Sequence, residues 1–351
     1  MPPKSRRIPH RYDDSRSTFS VDTISPNPFS PSEHTSLFPQ PLLPTSAPWH
    51  HPLLRELLML LQMTLPIALT YSLQMSFETT SILVVGRISP STLSTATFAY
   101  MFAASTAWLI GLGGTTALDT LCPRIFTSRT ADPTELGILL QRAFIILTGF
   151  YVVFIIPLWW WSEPVFLLLG QHPELSHQAM VFLRWLIPGG LGYVYFEAAK
   201  KFLLVQEIVR ASTGVLLVTA PLNVMLNWAC IYGLKMGLVG APVATGVCYW
   251  VSFGLVVGYA KWIEGERYWG GWDERCWEYR EGVRFARLAF MGLLHVGTEW
   301  WAFELTLLLA GRLGPIPLAT HSILLTLDHL LSTLPFSLSL TLTTRLGHLL
   351  G

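Results

Sequence analysis

Eight apolar stretches, each about 20 residues or longer and so able to cross a hydrocarbon core of roughly 30 Å as a helix, occupy most of the sequence after residue 50. They lie near Leu57 to Val85, Leu93 to Leu118, Leu139 to Trp161, Met180 to Ala199, Ala211 to Tyr232, Leu238 to Ala260, Leu288 to Ala310 and Leu318 to Leu342. In lipid the backbone has no water to bond, so the N–H and C=O groups must be satisfied within helices, which predicts an all-α polytopic membrane protein. Pro66, Pro188, Pro221 and Pro335 fall inside these stretches, where neighbouring helices tolerate them as kinks. Only 13% of the residues are charged, about half the share of an ordinary soluble domain. The lipid bilayer is therefore the first partner implied. The net charge of +1 and the scattered basic residues exclude a nucleic-acid surface.

Residues 1–50 are rich in Pro and Ser and have no apolar periodicity, which reads as a disordered tail. The tail lacks the apolar run of a secretory signal, so it is expected to stay in the cytosol. Lys and Arg retained on the cytosolic side give the orientation. Around the eight spans their numbers alternate, and 19 of the 23 fall on the side of the tail. Residues 261–287, with Gly270-Gly-Trp-Asp273 and mixed charges, read as a cytosolic crossover. An amphipathic segment lying along the membrane surface is expected there, anchored by Trp262, Trp269, Trp272 and Trp277.

One internal repeat recurs at an offset of 225 residues: Val85-Gly-Arg-Ile-Ser-Pro-Ser-Thr-Leu93 echoes Ala310-Gly-Arg-Leu-Gly-Pro-Ile-Pro-Leu318. It follows span one and again span seven. Residues 51–260 then form one six-helix lobe, and residues 288–351 supply the first two helices of a second copy in the same orientation, a parallel repeat.

Ionisable groups inside a span cost roughly 2.5–3.5 kcal/mol on insertion scales, so each needs a partner, water or a task. Span seven carries His295, Glu299 and Glu304. His295 and Glu299 are i,i+4 neighbours, and Glu304 lies about 140° round the helix from Glu299. On one reading Glu299 binds a coupling ion or a cationic substrate, His295 sets its protonation, and Trp300 and Phe303 offer aromatic faces to an organic cation. On the other, the same groups form an internal hydrogen bond that fixes packing. Asn223 and Asn227 in span five divide between cavity lining and helix packing in the same way. Glu78, Asp119 and Asp328 are further candidates, and Glu197 with Lys200 and Lys201 has the spacing of a surface ion pair. Four separated cysteines give neither a disulfide framework nor a metal site, and no nucleophile elbow, zinc-protease motif or phosphate loop is present, so no enzyme is expected.

The runs Gly113-Gly-Thr-Thr-Ala-Leu-Asp-Thr-Leu-Cys122, Leu139-Leu-Gln-Arg142, Pro188-Gly-Gly-Leu-Gly-Tyr193, Gly237-Leu-Val-Gly-Ala241, Gly270-Gly-Trp272 and Thr298-Glu-Trp-Trp-Ala-Phe-Glu304 resemble the eukaryotic branch of the MATE (multidrug and toxin extrusion) family, especially its fungal members. The resemblance runs from about Arg55 to the last residue. It implies twelve helices in two six-helix lobes, with export of organic cations or amphipathic xenobiotics. The driving force would be antiport of protons or sodium, with no cofactor, in a vacuolar or plasma membrane. Glu299 and Glu304 match second-lobe acids implicated in coupling, and Asn223 and Asn227 match a fifth-helix polar pair. Ser81 stands where many prokaryotic members have an acid, and Arg124 where the family usually has Gln. The resemblance also implies that four helices of the second lobe are absent after helix eight, so a non-transporting fragment or an incomplete gene model is the alternative expectation.

Overall fold

A computed structural model describes residues 52–127, 132–263, 268–313 and 315–350 of the 351-residue chain. The tail expected over residues 1–50 lies outside the described residues. The first span is α1 (Pro52–Gly86), and the second begins at α2 (Pro90–Ala103). Ser89 fixes that start: its hydroxyl accepts from the Thr92 N–H, Thr92 returns a bond to the Ser89 backbone, and Pro90 occupies the first turn, where no N–H is needed. A π-helical turn, Ala104–Trp108, leads through α3 (Leu109–Gly114) into α4 (Thr116–Thr127). The third span joins α5 (Thr134–Phe150), a second π turn at Tyr151–Ile155 and α6 (Ile156–Trp160), and α7 (Ser162–Leu168) then connects to α8 (Pro173–Val205). Spans five and six are α9 (Val209–Trp228), with a third π turn at Ala229–Gly233, and α10 (Gly240–Ile263). Two long helices follow, α11 (Tyr279–Leu313) and α12 (Pro315–Leu350).

Among the described residues, six segments from Glu56–Gly86 to Gly237–Trp262 are long and apolar enough to cross a membrane. The expected spans seven and eight are continuous helices of 35 and 36 residues, more than 50 Å each at about 1.5 Å per residue. The repeat seen in the sequence coincides with the element boundaries: Pro90 opens α2, and Pro315, its counterpart, opens α12.

Small residues let the helix backbones touch where lipid gives no hydrophobic drive to associate. At the α8–α10 crossing, a Cβ on Gly189 would stand 2.5 Å from the Gly246 Cα. Tyr151 Oη, from the second π turn, donates to the Ile187 carbonyl at 2.7 Å.

Among the described residues of the crossover, Glu274–Trp277 forms a 3-10 turn and α11 begins at Tyr279. The segment is bonded to α5. Gln141 Nε2 donates to the Gly271 carbonyl at 2.6 Å, Asp273 N–H donates to Gln141 Oε1 at 3.2 Å, and Arg142 Nη2 donates to the Arg275 carbonyl at 2.9 Å. Of the four tryptophans expected as anchors, Trp269 packs against the core, while Trp262, Trp272 and Trp277 stand exposed. Polar side chains on α5 supply bonds that a free surface helix would have to make for itself.

Candidate functional site

At the end of the molecule where α1 begins, α12 lies closely on the bundle. Arg345 pairs with Glu56 at 3.0 Å, Thr64 Oγ1 donates to Thr341 Oγ1 at 3.3 Å, and Tyr71 meets Phe336 edge to face with centroids 5.1 Å apart. Helix α11 closes on the same side: Phe285 and Ala289 are buried, and Gly292 fits against the Gly113 carbonyl and Thr116. Further along α11, Trp301 Nε1 donates to the Ser105 carbonyl at 3.0 Å. Past that point Phe303, Leu305 and Leu309 of α11 are exposed, as are Leu324, Asp328, Leu331 and Leu334 of α12.

The first π turn is a distortion of the kind that often marks functional positions. Glu78 lies two turns past Tyr71 on the same stripe of α1, is partly exposed, and accepts a hydrogen bond from Trp108 Nε1. Trp108 is held from behind, stacked on Tyr193 at 4.5 Å and edge-on to Tyr249 at 5.7 Å. Ser105, in the same π turn, receives the Trp301 bond from α11. The turn thus bonds Glu78 of α1 through Trp108 and receives α11 through Trp301.

Glu299 and His295 are both exposed on α11, and no hydrogen bond joins them among the described residues. Trp300 is half-buried against the core, and Phe303 is exposed. Glu304 lies in α11, and its side chain falls outside the described residues. The Asn pair is fully buried: Asn227 Nδ2 donates to Asn223 Oδ1 at 3.0 Å, leaving Asn223 Nδ2 and Asn227 Oδ1 without partners among the described residues. Ser81 is buried in a hydroxyl chain, 2.8 Å from Thr245 Oγ1, which is also 2.8 Å from Tyr100 Oη. That part of the bundle is polar without charge.

The surface ion pair expected at Glu197 is corrected. Glu197 is fully buried, and Lys200 and Lys201 are 5% and 2% exposed. Glu197 Oε1 accepts from Lys200 Nζ at 2.6 Å and from Gln74 Nε2 at 2.7 Å, and Lys200 also donates to Gln74 Oε1 at 2.9 Å while lying 3.9 Å over the Tyr71 ring. Lys201 pairs with Asp119 at 2.7 Å. Asp119 therefore ties α4 to α8 rather than capping its own helix. Two acids and two lysines balance, so the cluster holds α1, α4 and α8 together without net charge. Outside the membrane spans, side-chain hydrogen bonds from Arg275 hold the Asp273 carboxyl below its ordinary range.

The fold of the described helices is that of MATE transporters. The crystal structure of the eukaryotic MATE transporter AtDTX14 matches with a TM-score of 0.76 and 24% identity, over 84% of this chain and 66% of that one. The MatE family model matches residues 66–229. An uncharacterized transporter of Schizosaccharomyces pombe is 33% identical over 298 residues, 84% of this chain and 55% of the relative. Multidrug and toxin extrusion protein 1 of Xenopus tropicalis is 28% identical over 302 residues, 85% of this chain and 51% of the relative. The chain belongs to the MATE family, whose members are transporters and not enzymes. It spans about half the length of the curated relatives it matches.

Proposed function

We propose that this chain serves secondary active transport, exporting small organic cations or amphipathic xenobiotics in exchange for protons or sodium ions. The observation that carries the reading is the placement of Glu299: an acid exposed on α11, a helix of 35 residues that the repeat makes the first of the second copy. A carboxylate in that position binds either a coupling ion or a cation but not both well, and such exclusion is what antiport requires. Glu304 serves as the second acid of α11, and His295 sets the field around Glu299. Trp300 and Phe303 supply aromatic faces for an organic cation. Asn223 and Asn227, with one orphaned amide atom each, offer uncharged polar contacts to an ion or its water.

The tail side is assigned to the cytosol by the excess of Lys and Arg there. Vacuolar or plasma membrane is the proposed location, by likeness to the fungal relatives. The test is accumulation of ethidium in cells expressing the chain, against a vector control and Glu299→Gln, at two external pH values. Lower accumulation that depends on pH and on Glu299 supports the reading. Accumulation equal to vector, with the protein in the membrane, removes it.

A further inference from the structure

A cavity of about 10 Å³ lies where α1, α8 and α9 meet α12, and its wall includes Tyr71, Lys200, Lys201, Ser212 and Leu340. That is room for about one water. Tyr71 is 7% exposed, and its Oη is buried with no hydrogen-bond partner among the described residues. A buried hydroxyl left unmet carries a cost that folded chains as a rule avoid. The other polar groups of the wall differ in what they have left to give. Lys200 is fully used: its ammonium donates to Glu197 Oε1 and Gln74 Oε1 and lies over the Tyr71 ring. Lys201 has three N–H donors and, among the described residues, bonds only Asp119, at 2.7 Å. The Ser212 hydroxyl donates to the Val209 carbonyl at 3.0 Å, which leaves its oxygen able to accept. Glu197 is not among the residues that line the cavity.

We infer that this cavity is a binding site for one structural water, held by Tyr71, Lys201 and Ser212 and closed by Leu340 of α12. The water accepts from Lys201 Nζ and from Tyr71 Oη and donates to Ser212 Oγ, about the three bonds that a buried water usually makes. It gives the orphaned tyrosine hydroxyl its partner and joins α1, α8 and α9 in one polar network. A cation is disfavoured by the two ammonium groups in the wall. An anion gains little, because each ammonium already has a carboxylate within 2.7 Å. A small neutral molecule that both donates and accepts is what fits. Leu340, buried on the helix that the repeat makes the second of the second copy, offers the water no bond and only shuts the site. Withdrawal of α12 from the bundle therefore opens the site to bulk water. The inference goes beyond the transport reading and does not depend on it.

The experiment is radiolytic hydroxyl labelling of the purified full chain in lipid nanodiscs, read by mass spectrometry, which marks buried side chains beside an ordered water because radicals form from that water in place. Tyr71 is expected to be labelled several-fold faster than Tyr151, which is also buried but has its Oη bonded to the Ile187 carbonyl. Ser212→Ala removes the water's acceptor, and the Tyr71 rate is expected to fall towards that of Tyr151. In Leu340→Ala the Tyr71 rate rises. Tyr71→Phe supplies a second readout, since it keeps the ring under Lys200 and its edge contact with Phe336 and removes only the hydroxyl. With the water in place this loses a hydrogen bond, and the melting temperature falls by about 2–4 °C. In a dry cavity it removes an unmet polar group, and melting is unchanged or rises. Tyr71 labelled no faster than Tyr151, a Tyr71 rate unmoved by Ser212→Ala or by Leu340→Ala, or a Tyr71→Phe protein that melts at or above wild type overturns the inference.

Discussion

Replacing Lys200 by Met tests whether the buried cluster of α1, α4 and α8 is a charge pair in a low-dielectric interior. Glu197 is fully buried, and its Oε2 already lacks a partner among the described residues, so no solvent is at hand to take over when the lysine goes. Breaking a buried pair by removing one member costs about 3–5 kcal/mol, because the remaining charge is left uncompensated. Loss of the ammonium from the Tyr71 face, 3.9 Å away, adds roughly 0.5–2 kcal/mol. Glu197→Gln added to Lys200→Met removes the orphaned charge and keeps an acceptor for Gln74. The double variant is therefore expected to recover to within about 2 kcal/mol of wild type. Reversible unfolding of the purified protein in mixed micelles, followed by tryptophan fluorescence, gives the four stabilities of the cycle. A Lys200→Met protein as stable as wild type, or a double variant no better than the weaker single one, would refute the reasoning.

Two other substitutions probe the bundle and the crossover. Gly246→Val places a side chain where even a Cβ would lie 3.0 Å from the Gly189 backbone, so α8 and α10 must separate, with an expected loss of about 1–3 kcal/mol by thermal melting; an unchanged melt contradicts the close crossing. Asp273, whose folded carboxyl is held below its ordinary range by Arg275, contributes to the docked crossover fully above the ordinary carboxylate range. That contribution is lost as pH falls through the lowered value. Hydrogen exchange at the Arg275 amide, which donates to Asp273 Oδ1 at 2.9 Å, should therefore accelerate in acid beyond the intrinsic rate, and Asp273→Asn should remove the pH dependence.

The spans were legible because lipid demands long apolar helices, and the second helix of each repeat because Pro90 and Pro315 mark its first turn. The cluster at Glu197 was not legible. Its i,i+3 spacing to Lys200 is identical on a surface and in a core, and the partners that reveal burial, Gln74 and Asp119, lie 123 and 82 residues away from Glu197 and Lys201 in sequence. The same burial bears on the charge count that gives the orientation: Lys200 and Lys201 fall between the apolar stretches ending at Ala199 and beginning at Ala211, yet lie inside α8. The remaining basic residues still favour the tail side. The bonds of residues 271–275 run to side chains on α5, which no periodicity in the segment itself reports. Glu78 reads in sequence only as one acid in a span, since what sets it apart is that among the described residues it has no lysine partner of the kind Asp119 and Glu197 possess.

The central claim, cation export coupled to an ion gradient through Glu299, is tested most directly by reconstituting the chain in proteoliposomes and recording ethidium and internal pH together. With an acidic lumen, the account predicts ethidium accumulation inside, accompanied by lumenal alkalinisation, both abolished in Glu299→Gln and by collapsing the gradient; with sodium as the coupling ion, an outward sodium gradient takes the place of the proton gradient. Ethidium uptake that ignores both gradients, or that persists undiminished in Glu299→Gln, would contradict it.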